Sequence, residues 1–140
     1  MKKLIKSTFE KMKSRNWDKV YFAIDVHDTI LPSNYDQEIV NKFYPFAKET
    51  LQYLSKRTDC VLIMYSSMHN ESICNHLQFF KEHEIYFSYV NSNPEIKNTD
   101  YGNFANKFYF NFLIDDKAGF EADWQWKEIY VAMIEQPEII

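Results

Sequence analysis

Val20-Tyr21-Phe22-Ala23-Ile24-Asp25-Val26-His27-Asp28-Thr29-Ile30-Leu31 is the stretch on which the reading of this chain turns. Five apolar residues in a row run into an aspartate and then into a short polar cluster. An unbroken apolar run of this length is the pattern of a strand buried on both faces. The polar cluster then falls at the strand's carboxyl end, where open parallel sheets place their ligands. Alone, the stretch fits an ordinary strand with a capped turn equally well, because Asp and Thr after a strand often only cap the next element.

The rest of the chain decides between the two. Three further apolar runs, Cys60–Tyr65, Ile85–Val90 and Phe108–Ile114, alternate with helical patterns. Pro45 suits a first helical turn, and Phe46, Leu51 and Leu54 can share a face up to Arg57. Asn70 can cap a helix in which Ile73, Leu77 and Phe80 recur at helical spacing. Asp123 can cap a last helix carrying Trp126, Ile129, Tyr130 and Met133 on one side. Strands alternating with helices predict an α/β fold, a three-layer α/β/α sandwich around a mostly parallel sheet with helices on both faces. In such a sheet the strand ends share one edge, so Asp25, Ser66, Asp115 and Asp116 can converge there. Asn91 to Asn106, rich in Asn and containing Pro94 and Gly102, reads as a long functional loop.

Composition bounds the function classes. A chain of 140 residues is expected to form one domain, here 1–140. Within it, 1–19 read as a basic amphipathic helix, 20–120 as the core and 121–140 as a C-terminal helix. Gly102 and Gly119 are the only glycines, which excludes a Walker loop and a Rossmann glycine fingerprint. Cys60 and Cys74 have no metal-type spacing and read as reduced thiols of a cytoplasmic protein. No apolar stretch approaches bilayer length, and the N-terminus lacks a signal-peptide core, so no membrane partner is expected. Net charge is −4, yet residues 1–19 hold seven Lys/Arg against two acids, leaving nine against eighteen in the remainder. Leu4, Ile5, Phe9 and Met12 sit near helical spacing, so packing on the domain is preferred over contact with nucleic acid or a membrane surface.

These residues carry a resemblance. Over residues 20 to 120 the chain resembles the haloacid dehalogenase (HAD) superfamily phosphohydrolases of the small, capless type. The family's first motif, a strand followed by Asp-x-Asp-x-Thr, stands here as Asp25-Val26-His27-Asp28-Thr29. Its second, a strand ending in Ser or Thr, is matched by Ser66, and its lysine by Lys107. Its paired acids after a strand are matched by Asp115-Asp116. The chain departs from the pattern at His27, where the family has its second aspartate, at Asp28, where a glycine is common, and at Met68.

The resemblance implies a Rossmann-like HAD sheet and a Mg²⁺-dependent hydrolysis of a phosphate monoester. In it Asp25 attacks phosphorus and forms an aspartyl-phosphate that water hydrolyses. Thr29, Ser66, Ser67 and Lys107 are the implied phosphoryl-binding residues, with Lys107 offsetting charge. The implied metal ligands are Asp25, the backbone carbonyl of His27, Asp115 and Asp116. The residue types point the same way, since clustered carboxylates would repel a phosphate dianion without a cation. An all-oxygen set suits Mg²⁺. His27 can serve as acid and base, because an imidazole is available in either protonation state near neutral pH. The expected substrate is a small phosphorylated molecule or a terminal phosphate on a larger one. Nucleic acid is the lesser alternative. The competing reading is a catalytically impaired relative that binds a phosphorylated ligand or a protein partner. His69, His76 and His83, seven residues apart, read as a helical stripe rather than a zinc set. Asp36 and Glu38 read as solvated, and Trp124 and Trp126 as packing or lid residues.

Overall fold

A computed structural model describes residues 1–34, 38–99 and 102–139. Asp36 and two positions of the long loop, 100 and 101, therefore lie outside the described residues.

The first apolar run forms β1 (Val20–Ile24), with all five residues buried. The second forms β2 (Cys60–Met64), parallel to β1 with Val20 opposite Cys60 and Ile24 opposite Met64. On its far side β2 carries β3 (Tyr89–Val90), and β1 carries β4 (Phe112–Ile114), both parallel. The strand order is β3-β2-β1-β4. Both outer strands are shorter than their apolar runs. Ile85 is buried but stays with the preceding helix, its N–H donating to Phe80 O at 2.9 Å. Phe108 and Phe110 pack against the sheet rather than joining it.

Four helices flank the sheet: α1 (Lys2–Ser14), α2 (Ala47–Lys56), α3 (Asn70–Glu82) and α4 (Gln125–Ile134). Helix α1 buries Ile5, Phe9 and Met12, one stripe at helical spacing, and turns its lysines to solvent. Two helix starts differ from the expected caps, Asn70 and Asp123, by one residue. The capping positions are Phe46, held at φ 65°, then His69 and Trp124, and none of them makes a side-chain capping bond.

All four helices contribute to one core with Val20, Phe22, Ile24, Leu62 and Met64, alternate residues of the central strands. Tyr21, Val61 and Ile63 form a second cluster with Tyr89, Ile96, Phe108, Tyr109 and Phe110. Right-handed crossovers explain this division. The chain moves outward from β1 through β2 to β3, with α2 and α3 over one face. It must then return to β4 over the other. That return is the Asn-rich connection, and among its described residues it holds no helix. It is fastened nonetheless. Glu95 accepts from Lys19 Nζ (2.9 Å), Tyr21 OH (3.2 Å) and Tyr89 OH (2.6 Å), and Asn93 Nδ2 donates to Tyr109 O (2.9 Å). The architecture is Rossmann-like α/β, consistent with a three-layer α/β/α sandwich. Its topological switch point lies between β1 and β4, whose carboxyl ends carry Asp25 and Asp115.

Candidate active site

Asp25 leaves β1 with its N–H on Ile114 O at 2.9 Å, one step beyond the paired strands. The chain then turns sharply, the N–H groups of Thr29, Ile30 and Leu31 all converging on Val26 O (3.3, 2.8 and 3.2 Å). Asp28 takes the left-handed position of this turn, φ 60°, which Asp tolerates better than most residues. Its carboxylate accepts from Ser33 N–H at 3.0 Å, so it fastens the turn.

Thr29 is fully buried and does not line the cavity. Its hydroxyl reaches Asp25 Oδ2 (3.0 Å) and Asp116 Oδ1 (3.3 Å) and accepts from Asp116 N–H (3.1 Å). Its carbonyl accepts from Trp126 Nε1–H at 2.7 Å. Where phosphoryl contact was expected of Thr29, the residue instead ties the first aspartate to the paired acids. Trp126 is correspondingly a core residue rather than a lid.

Asp115 follows β4 and caps the short 3-10 turn Asp116–Ala118, its carboxylate accepting from Lys117 N–H at 2.9 Å. Gly119 closes that turn at φ 95°, a conformation that favours glycine. Asp25, Asp115 and Asp116 thereby bring carboxylate oxygens within 4.8 Å of one another. Burial pushes the Asp25 carboxyl up to about 7, and the Asp115 charge adds to the rise, against the lowering bond from Thr29. A set of three carboxylates that makes no ion pair with a Lys or Arg among the described residues has the donor chemistry for a hard divalent cation, and the residues fit one.

Ser66 enters from β2. Tyr65 N–H donates to Ile24 O (2.9 Å), and the next residue is bracketed by Asn91. Asn91 Oδ1 accepts from Ser66 N–H at 2.9 Å, and its Nδ2 donates to Ser66 O at 2.7 Å. Asn91 stands just beyond β3 at φ 51°, with its own N–H on Met64 O at 2.8 Å. Ser66 Oγ accepts from Met68 N–H at 3.1 Å.

Asp25, His27, Ser66, Ser67, Asp115 and Asp116 line one cavity of about 390 Å³, joined by Asp28, Tyr65, Met68 and Lys117. Lys107 is exposed, precedes β4 by several residues and does not line this cavity. Lys117, beside the paired acids, is the cation that does. His27 is half-buried, its ring edge-on to His76 at 5.3 Å. His76 is buried, and its Nδ1–H donates to Ser72 O at 2.7 Å. Burial holds its pKa below the ordinary imidazole value, to which His27 contributes.

Sequence reasoning missed Asn91 and Lys117. Asn91 had a usable signal, an Asn directly after an apolar run, where a left-handed residue and a side-chain amide often end a strand. Lys117 follows the paired acids directly, and its neighbourhood was the signal.

No family model matches the chain, and no curated protein matches it. Among solved structures it is similar to a protein described as a conserved protein coded by a locus of Bacteroides thetaiotaomicron. The two are 24% identical, the match covers 85% of this chain and 93% of that one, and the TM-score is 0.64. A likeness at this identity shows the fold. No helix among the described residues is long and apolar enough to cross a membrane.

Proposed function

We propose that the protein is a Mg²⁺-dependent phosphohydrolase of HAD type, acting on a phosphate monoester through an aspartyl-phosphate on Asp25. The observation that carries this reading is the meeting of Asp25, Asp115 and Asp116 at the switch point, in one cavity with Ser66. When bound, the cation supplies the positive charge that lets a phosphate dianion approach three carboxylates. The side chains that would hold it are Asp25, Asp115 and Asp116.

The Thr29 hydroxyl sits on Asp25 Oδ2 and so leaves Oδ1 to attack phosphorus. As that bond forms, the bond from phosphorus to the leaving oxygen breaks. The leaving oxygen takes the electron pair and a proton from His27. Water then attacks phosphorus, gives a proton to His27 and releases inorganic phosphate, returning the Asp25 carboxylate. Ser66 and Lys117 line the same cavity and can hold phosphoryl oxygens.

The test is incubation with a small acyl phosphate and Mg²⁺, followed by intact mass and peptide mapping. One added phosphoryl group on Asp25, lost in Asp25→Asn, is the expected result. Persistent absence of the adduct together with absence of turnover would reject the enzyme. A second reading, a phospho-ligand binding protein, is favoured by His27 at the family's acid/base position and by Lys107 outside the cavity. Under that reading a phosphate mimic binds but no ester is hydrolysed.

A further inference from the structure

A larger groove of about 830 Å³ opens beside the candidate active site, and His27 and Met68 line both. Its size is that of a small-molecule site. The described residues of its wall offer hydrogen-bond acceptors and no Lys or Arg. Glu38 and Glu71 contribute carboxylates from opposite segments, the turn after β1 and the first turn of α3. His76 also lines the groove and is only 3% exposed. Its Nδ1–H is committed to Ser72 O, so Nε2 carries a lone pair, and no donor among the described residues satisfies it. A ring acceptor that lines a groove is a place for a ligand's O–H or N–H.

We infer that this groove is the leaving-group subsite, taking a leaving group rich in hydrogen-bond donors, a polyol or an amine, and rejecting a second phosphate. The inference rests on the phosphohydrolase reading. The orientation follows from His27, which protonates the leaving oxygen and forms the shared wall. A second anionic group in the groove would meet Glu38 and Glu71 with no Lys or Arg among the described lining residues. The other groove at this edge, about 410 Å³ and carrying Lys97, shares no lining residue with the active-site cavity. Tyr65 and Phe108, in ring contact at 6.1 Å, stand between the two.

The experiment compares kcat/KM with Mg²⁺ for four esters: an aryl phosphate, a hexose monophosphate, phosphoethanolamine and a hexose bisphosphate. The wild type should favour the two donor-bearing monoesters over the bisphosphate by about tenfold or more. Glu38→Gln combined with Glu71→Gln should reduce that preference to about twofold. A loss confined to phosphoethanolamine identifies an amine as the group recognised, and an equal loss for the hexose ester a polyol. Equal rates across the esters, or preference for the bisphosphate, would overturn the inference. In parallel, the ¹⁵N resonance of His76 Nε2 is followed while free hexose or ethanolamine is added. If no ester is turned over and no adduct forms, the failure belongs to the enzymatic reading. The His76 resonance then decides the groove alone, a saturable shift supporting it and no shift overturning it.

Discussion

Two corners of the molecule, one with a buried carboxylate and one with three half-buried ones, treat their charge in opposite ways. At the end of α2, Asp59 is almost wholly buried, yet Arg57 meets it with two bonds, Nε to Oδ1 at 2.9 Å and Nη2 to Oδ2 at 2.8 Å. Ile139 N–H adds a third at 2.9 Å. Burial alone would raise the Asp59 pKa, but these partners outweigh it and hold it below the usual carboxylate range. Arg57 also donates to the carbonyls of Met133, Gln136 and Pro137, so the pair clasps the C-terminal segment. At the switch point, by contrast, three carboxylates share one corner, and Asp25 is raised to about 7. Where the chain supplies its own cation the charge is structural. Where it gathers acids with no ion-paired partner among the described residues, the charge is uncompensated and Asp25 shifts upward.

Removing the internal cation should make the clasp resemble the site, with the largest effect. Arg57→Ala strands Asp59 in the core, and such an unpaired buried charge costs about 3–5 kcal/mol. Urea denaturation measures it. A loss under about 1 kcal/mol would mean that the tail, not the ion pair, sets this corner. The two regions also differ in the sign of their pH dependence. Asp59 is depressed on folding, so its contribution is present above the unfolded value near 3.8 and is lost as pH falls through the lower folded value. Asp25 is raised, so the cation-free fold is favoured below about 4 and loses stability as pH climbs toward about 7. Saturating Mg²⁺ should remove the second slope and leave the first.

The next effect concerns the proton rather than the cation. If His27 delivers the proton to the leaving oxygen, His27→Ala should slow alkyl phosphate hydrolysis by about 10²-fold or more. An aryl phosphate with an acidic leaving group needs no such help and should slow far less. His27→Asp should restore most of the alkyl rate. Equal losses for both esters would reduce His27 to a wall of the cavity.

A smaller change should follow from easing the acidic corner itself. Asp115→Asn or Asp116→Asn should weaken Mg²⁺ binding by about tenfold in calorimetry, since each removes one charged ligand. At least one of them should raise the cation-free melting temperature by a few degrees, roughly 0.5–1 kcal/mol of relieved repulsion. Unchanged affinity in both would take the paired acids out of the metal site.

How much of this was legible beforehand divides along the same line. The parallel sheet and the meeting of Asp25, Ser66, Asp115 and Asp116 follow from apolar runs ending in polar residues. That signal is local and survives in one sequence. The short outer strands did not show, because Phe108–Phe110 and Ile85–Phe87 are as apolar as a strand but spend that character packing against the sheet and the helices. Lys107 was placed by its order in the chain. Which lysine lines the cavity depends on how the connection folds, and that is tertiary. Thr29 was assigned to the phosphoryl group by motif, whereas its burial and its bonds to two aspartates depend on β4 arriving beside it. The Arg57–Asp59 clasp left no mark at all, since two charged residues two positions apart carry no periodic signal of burial.

Asn91 offers the finest test of the contrast, because it holds the site's neutral side in place without touching its charge. Its amide brackets Ser66 through both backbone groups, at 2.9 and 2.7 Å, and its φ of 51° is one glycine accepts freely. Asn91→Gly therefore removes the two bonds without straining the backbone, while Asn91→Ala would confuse the loss of the bonds with strain. If the bracket positions Ser66 for a phosphoryl oxygen, inhibition by inorganic phosphate should weaken by about three- to tenfold, the worth of roughly one net hydrogen bond. Mg²⁺ affinity should stay unchanged, because no carboxylate depends on this amide. Weakening of phosphate and Mg²⁺ together would show that the whole edge had loosened. Weakening of neither would show that Ser66 holds its place through Met68 N–H and the strand alone. Only loss of phosphate affinity with Mg²⁺ binding intact separates the Ser66 edge from the acidic corner.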